Sequence, residues 1–229
     1  MASNKIQLSP TLISMDWKRL QESLQESEKS GADYLHYDVG DSYFSPEFGM
    51  PLHLIEKITE QTKLPLDLHL MVEEPRRIFE KLPPPPSRVA IHYEACRNLH
   101  RDLVTLRQLG YQPGLALNPG TNLDLIEYVI EEIDYALIMT SNPGFPDQKM
   151  TPQVLRKIER LRDWSDESNR SLQIAVDGDV SLENTTKLVA AGVEFLTLPQ
   201  NVLEDASKLT EAIEAGLTPN AGKPTSSSL

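Results

Sequence analysis

The sequence predicts one (β/α)8 TIM barrel, and three observations predict it. Short apolar runs recur at fairly even intervals, polar stretches of helical periodicity separate them, and 229 residues suit eight strand–helix units. The runs place strands at Ile6–Ile13, Tyr34–Val39, Leu66–Val72, Arg88–Tyr93, Gly114–Leu117, Tyr135–Met139, Leu172–Val176 and Phe195–Leu198. The intervening stretches place helices at Trp17–Ser30, Pro51–Thr62, Pro75–Lys81, Asn98–Leu109, Asn122–Glu132, Pro152–Arg162, Leu182–Ala191 and Leu203–Ala215. Strict alternation implies parallel crossovers, because a helix must carry the chain back before the next parallel strand. An open doubly wound sheet is the alternative. No helical repeat of solenoid period is present.

Residues 1–216 are expected to form one domain, and the Pro/Ser/Thr/Gly-rich residues 217–229 a disordered tail. Pro83–Pro86 cannot extend a helix and should be a stiff connector. The chain carries 22 Lys and Arg against 34 Asp and Glu, a net charge of -12. Nucleic acid and membrane are therefore not expected as partners, since phosphate neutralisation needs a basic face. The single cysteine, Cys96, excludes an internal disulfide and a Cys-based zinc site. No apolar run approaches about 18 residues, and the first residues lack an apolar signal core, so a cytoplasmic protein is expected.

Barrel strands turn alternate side chains inward, and reactive groups gather at their C-terminal ends. His36 and Asp38 are two apart and share a face of the second strand. In the third strand Asp67, His69 and Met71 share the face opposite the leucines. Asp177 ends the seventh strand beside Gly178. Two imidazoles and two carboxylates suit one borderline divalent ion, Zn, Mn, Fe or Co. The alternative is that each is an interior polar residue satisfied by its neighbours. His92 and Glu94 share a face of the fourth strand.

The order of motifs resembles the ribulose-phosphate 3-epimerase family over roughly residues 6 to 205. The resemblance is carried by Leu8-Ser9-Pro10-Thr11-Leu12-Ile13-Ser14, Gly31-Ala32-Asp33-Tyr34-Leu35-His36-Tyr37-Asp38-Val39 and Leu66-Asp67-Leu68-His69-Leu70-Met71. Leu117-Asn118-Pro119-Gly120-Thr121, Ile138-Met139-Thr140-Ser141-Asn142-Pro143-Gly144-Phe145 and Val176-Asp177-Gly178 continue it. It implies that His36, Asp38, His69 and Asp177 bind one divalent metal, and that Asp38 and Asp177 shuttle a proton at carbon 3 of a ketose phosphate. Two carboxylates on opposite faces of a planar enediolate would invert that carbon. It also implies substrate contacts from Thr11, Met71, His92, Met139, Gly144 and Gly178, a small sugar or sugar phosphate as partner, and a homo-oligomer.

The departures cluster where the family grips phosphate. Its Gly-Phe-Gly-Gly after strand six reads Gly144-Phe145-Pro146-Asp147 here, its Gly-Gly after strand seven reads Gly178-Asp179, and its Gly-Ser after strand eight gives way to Leu198-Pro199-Gln200-Asn201. Two prolines remove backbone donors. Each added carboxylate repels a phosphate charge by about 3 kcal/mol at 5–6 Å and an effective dielectric near 20. Gly40 stands where the family has a methionine. The leading reading is a metal-dependent 3-epimerase acting on D-ribulose 5-phosphate or a close relative. The alternatives are an epimerase of a different ketose, unphosphorylated or carrying its anion elsewhere, and an inactive barrel serving as a binding or scaffold subunit.

Overall fold

The computed structural model describes residues 5–82, 87–145, 148–167 and 172–218. The Pro83–Pro86 connector, Pro146, Asp147 and all but Leu217 and Thr218 of the expected tail lie outside the described residues. Eight parallel strands form one sheet: β1 (Gln7–Pro10), β2 (Leu35–Gly40), β3 (Leu66–Met71), β4 (Arg88–His92), β5 (Gln112–Leu117), β6 (Tyr135–Met139), β7 (Gln173–Asp177) and β8 (Phe195–Leu198). Their spatial order, β1-β8-β7-β6-β5-β4-β3-β2, brings the first and last neighbours in the row together, and a parallel bridge from Thr11 to His36 nearly closes the barrel. The fold is the expected (β/α)8 barrel. No helix among the described residues is long and apolar enough to cross a membrane.

The two faces of each strand serve two cores. Outward residues such as Leu35, Tyr37, Leu66, Leu68, Val89 and Ile91 are buried beneath the helices. Inward residues form a second, smaller cluster of Ala90, Ala116, Tyr135, Leu137, Met139, Ala175 and Phe195. Alanines and a glycine alternate there with rings because the interior has room for few large side chains. Gly114 is register-paired with Tyr135, and a Cβ on it would lie 2.1 Å from the tyrosine ring.

The α-helices are α1 (Leu20–Lys29), α2 (Ile55–Thr59), α3 (Leu99–Gln108), α4 (Val154–Glu167), α5 (Leu182–Ala190), α6 (Gln200–Glu204) and α7 (Ala206–Leu217). Two of the expected helices, Pro75–Lys81 and Asn122–Glu132, are 3-10 segments instead, the second running over Leu123–Glu132. In the second, Leu123, Ile126 and Val129 are buried at every third position, a spacing that stacks on one side of a three-residue turn. Asn122 caps it, its side chain accepting from the Asp124 amide. The first expected strand ends at Pro10 rather than Ile13, and Leu12–Ser14 turns into a short 3-10 segment. The last expected helix breaks at Asp205 into α6 and α7.

Candidate active site

At the C-terminal ends of β2, β3 and β7, ligand atoms of His36, Asp38, His69 and Asp177 lie within 4.8 Å of one another. Strand register explains the meeting. Asp38 is paired with His69 across β2 and β3, so their inward side chains stand side by side. Asp38 Oδ1 is 3.1 Å from both His36 Nε2 and His69 Nδ1. Asp177 Oδ2 lies 3.3 Å from His69 Nδ1 and 3.6 Å from His36 Nε2. Both imidazoles are fully buried.

Burial opposes a charge on His36, but the Asp38 and Asp177 carboxylates outweigh it and hold its pKa well above 6.5. The same balance, again with burial opposing, raises His69. Burial likewise works against charge on the aspartates, yet the imidazoles hold Asp38 far below the usual carboxylate range and Asp177 at about 2. Imidazoles and carboxylates thus favour one another's charged forms around one point.

Each histidine is steadied from behind. His36 Nδ1 is 2.8 Å from Asp67 Oδ2, which turns Nε2 toward the centre. His69 Nε2 is 2.8 Å from His92 Nε2, and His92 Nδ1 is 3.3 Å from Glu94 Oε2. Burial lowers the His92 pKa to about 4, so its ring is neutral, donating to Glu94 and accepting from His69. Glu94 is anchored in turn by the Asn118 amide at 2.9 Å and by the Thr121 hydroxyl. Both nitrogens of His92 are therefore engaged within the protein.

Thr11 Oγ1 donates to Asp38 Oδ2 at 3.0 Å. Met71 and Met139 are buried at the ends of β3 and β6, and Met139 is register-paired with Asp177. Gly144 has φ 74°, and a Cβ there would meet Ser45 and Pro46 at 2.8 and 2.9 Å, so the turn after β6 packs on the loop after β2. That loop folds back on its own strand. Gly40 N donates to Phe48 O, Met50 N donates to Asp38 O, and a Cβ on Gly40 would stand 2.3 Å from Glu47 O. This backbone approach is why no methionine fits at position 40. Asp41 secures the loop by accepting from the amides of Tyr43, Phe44 and Glu73. Phe44 packs against His92 with ring centroids 4.6 Å apart and the ring planes tilted by 46°.

The turns after β7 and β8 keep most of their amides for the protein. Gly178 N donates to Asp177 Oδ1 at 2.7 Å, Asp179 N to Thr140 Oγ1 at 3.0 Å, and Gln200 N to Ser14 Oγ at 2.9 Å. Pro199 has no N–H. The Asp179 carboxylate accepts from Met150 N and lies 3.9 Å from the exposed Lys149 Nζ.

Sequence reading passed over three contributors. Asp67 was visible on the inward face of its strand, but its contact with His36 depends on the pairing of β2 with β3. Arg88 and Tyr135 reach Asp67 from β4 and β6. A charge at an inward strand position was the one signal for Arg88.

A (β/α)8 barrel with His and Asp side chains converging at its strand ends has the layout of a barrel enzyme. The ribulose-phosphate 3 epimerase family profile matches residues 7–203. Ribulose-phosphate 3-epimerase of Bacillus subtilis is 37% identical over 193 residues, covering 83% of this chain and 89% of the relative. The Synechocystis protein of that name is 37% identical over 214 residues, covering 92% and 93%. The chloroplastic ribulose-5-phosphate-3-epimerase of Arabidopsis thaliana is 33% identical, covering 96% and 80%. A thiamine phosphate pyrophosphorylase structure from Pyrococcus furiosus superimposes with a TM-score of 0.59 at 12% identity, covering 94% of this chain and 98% of that one, which shows the shared barrel. The chain belongs to the ribulose-phosphate 3-epimerase family and is an epimerase of the isomerase class.

Proposed function

We propose that the chain inverts carbon 3 of a ketose phosphate, interconverting D-ribulose 5-phosphate and D-xylulose 5-phosphate or a close relative. The observation that carries this reading is the convergence of His36, Asp38, His69 and Asp177 within 4.8 Å, in a chain whose relatives bear the epimerase name. The donor set fits a divalent ion, Zn, Mn, Fe or Co. His36 offers Nε2 and His69 offers Nδ1, because Asp67 and His92 occupy their other nitrogens, and two carboxylates complete the set. When bound, such an ion supplies Lewis-acid polarisation of the ketone.

The remaining work belongs to side chains. Asp38 reaches the centre from β2 and Asp177 from β7. A ketose seated between them presents one face of carbon 3 to each. One aspartate, entering as the carboxylate, takes the proton, while the other, entering as the carboxylic acid after taking a proton from solvent, returns one from the opposite side. The direction of reaction decides which is acid and which is base, and each turnover ends with those two states exchanged. The Thr11 hydroxyl holds Asp38 in its rotamer. Met71 and Met139 put apolar, polarisable surface beside the intermediate and exclude water from it. His92 supports His69, and Gly144 and Gly178, both at positive φ, open the turns after β6 and β7 that would meet the far end of the substrate.

The occupied amides of Gly178, Asp179 and Gln200, with Pro199 beside them, favour a second reading in which the ketose lacks phosphate. One assay separates the two. The protein is given D-ribulose 5-phosphate and D-ribulose in parallel, before and after chelation. Conversion of the ester, lost on chelation and restored by added Zn, Mn or Co, is the expected result. Conversion of the free sugar alone supports the second reading. Conversion of neither by ion-loaded protein contradicts both.

A further inference from the structure

We propose that Arg88 is a positioning residue for the metal centre, acting through Asp67 to hold His36 with Nε2 aimed at the ion. The inference rests on the metal-binding reading given above. His36 is register-paired with Asp67, and Asp67 with Arg88. Three inward side chains from β2, β3 and β4 therefore stand side by side at one level of the barrel.

Arg88 is 2% exposed, a cation inside the barrel. Its guanidinium carbon lies 3.8 Å from the Tyr135 ring centroid and 4.0 Å from that of Phe195. Nη1 donates to Gln173 Oε1 at 2.8 Å, while Nε and Nη2 have no hydrogen-bond partner among the described residues. A buried cation with one of its three nitrogens hydrogen-bonded is a poor way to stabilise a core, and an apolar side chain of similar volume packs as well or better. What the charge does have is an address: Nε lies 3.5 Å from Asp67 Oδ1.

Arg88 and the Tyr135 hydroxyl, 3.3 Å away, engage Oδ1 and leave Oδ2 for His36 Nδ1 at 2.8 Å. A carboxylate accepting the far N–H of a metal-ligating histidine fixes both tautomer and ring angle. Arg88 gives that carboxylate its counter-charge and its orientation. His69 needs no such cation, since neutral His92 backs it and Glu94 backs His92.

The test is the affinity of the purified protein for Zn or Co, measured by chelator competition, together with the visible spectrum of the Co-loaded form. Arg88→Met is expected to fold and to bind the ion about 10–100-fold more weakly with an altered Co spectrum. Arg88→Lys should recover most of the affinity. Asp67→Asn should weaken binding comparably, and the double variant no further, because both act on one contact. If Arg88→Met does not fold, Arg88→Gln, which keeps a donor without the charge, takes its place with the same expected loss. Wild-type protein that takes up no ion defeats the metal reading itself. Wild-type protein that binds an ion, with the neutral Arg88 variant within about twofold of it, overturns only the role of Arg88. Losses that multiply in the double variant overturn it as well.

Discussion

Asp38→Asn and Asp177→Asn are each expected to slow epimerisation by about 10²–10⁴-fold, the contribution of a positioned proton-transfer group. Asparagine keeps the shape of aspartate and one oxygen but cannot accept the proton. Neither carboxylate substitutes for the other, because they reach the centre from β2 and β7. Both are ionised in the ion-free protein down to acidic pH. The imidazoles, acting against burial, hold Asp177 at about 2 and Asp38 lower still. Loss of fold is not expected, since the two cores are built from apolar side chains elsewhere in the barrel. Steady-state rates with circular dichroism as a control check this. A variant that keeps activity within about tenfold of wild type removes that aspartate from the proton path.

Metal affinity is expected to fall steeply with acid, by up to about 100-fold per pH unit. Below their raised pKa values His36 and His69 each hold a proton on the nitrogen that would bind the ion, so binding must release both. The linkage to stability has two signs. The histidines, raised above 6.5, stabilise the ion-free fold fully below 6.5, and this is lost as pH climbs through the raised values. The aspartates, lowered from 3.8, stabilise it above 3.8, and this is lost as pH falls through about 2 for Asp177. The cluster therefore supports the ion-free protein best between the ordinary carboxylate and imidazole ranges, and the ion supports it best on the alkaline side. The rise in Tm on adding Zn or Co should grow between about pH 5.5 and 8. A rise independent of pH contradicts the double proton release.

Why was the site legible before the structure? Inward alternation in Leu66-Asp67-Leu68-His69-Leu70-Met71 puts three polar or soft residues on one face, and barrel geometry collects strand ends at one mouth. Both facts belong to single strands. The support behind the site belongs to pairs of strands. Asp67 meets His36, and Arg88 meets Asp67, only through the register of β2, β3 and β4, which no one segment encodes. Strands β6 and β8 match their expected limits, because Tyr135–Met139 is an apolar run between Asp134 and Thr140, and Phe195–Leu198, apolar but for Thr197, runs from Glu194 to Pro199. The first strand stops early because the chain leaves the sheet after Pro10, and the apolar residues beyond it fold into a 3-10 turn that buries Leu12. Gly40 looked like the loss of a methionine; its cause is a loop that doubles back from residues 41–49, a tertiary contact invisible in composition.

The most direct measurement is epimerisation carried out in D₂O with the position of label read by NMR or mass spectrometry. Two carboxylates working from opposite sides require that the product epimer carry one solvent deuterium at carbon 3 from its first appearance. Product that keeps the hydrogen of its substrate would show that the proton removed is the one returned, which contradicts transfer by Asp38 and Asp177 from opposite sides.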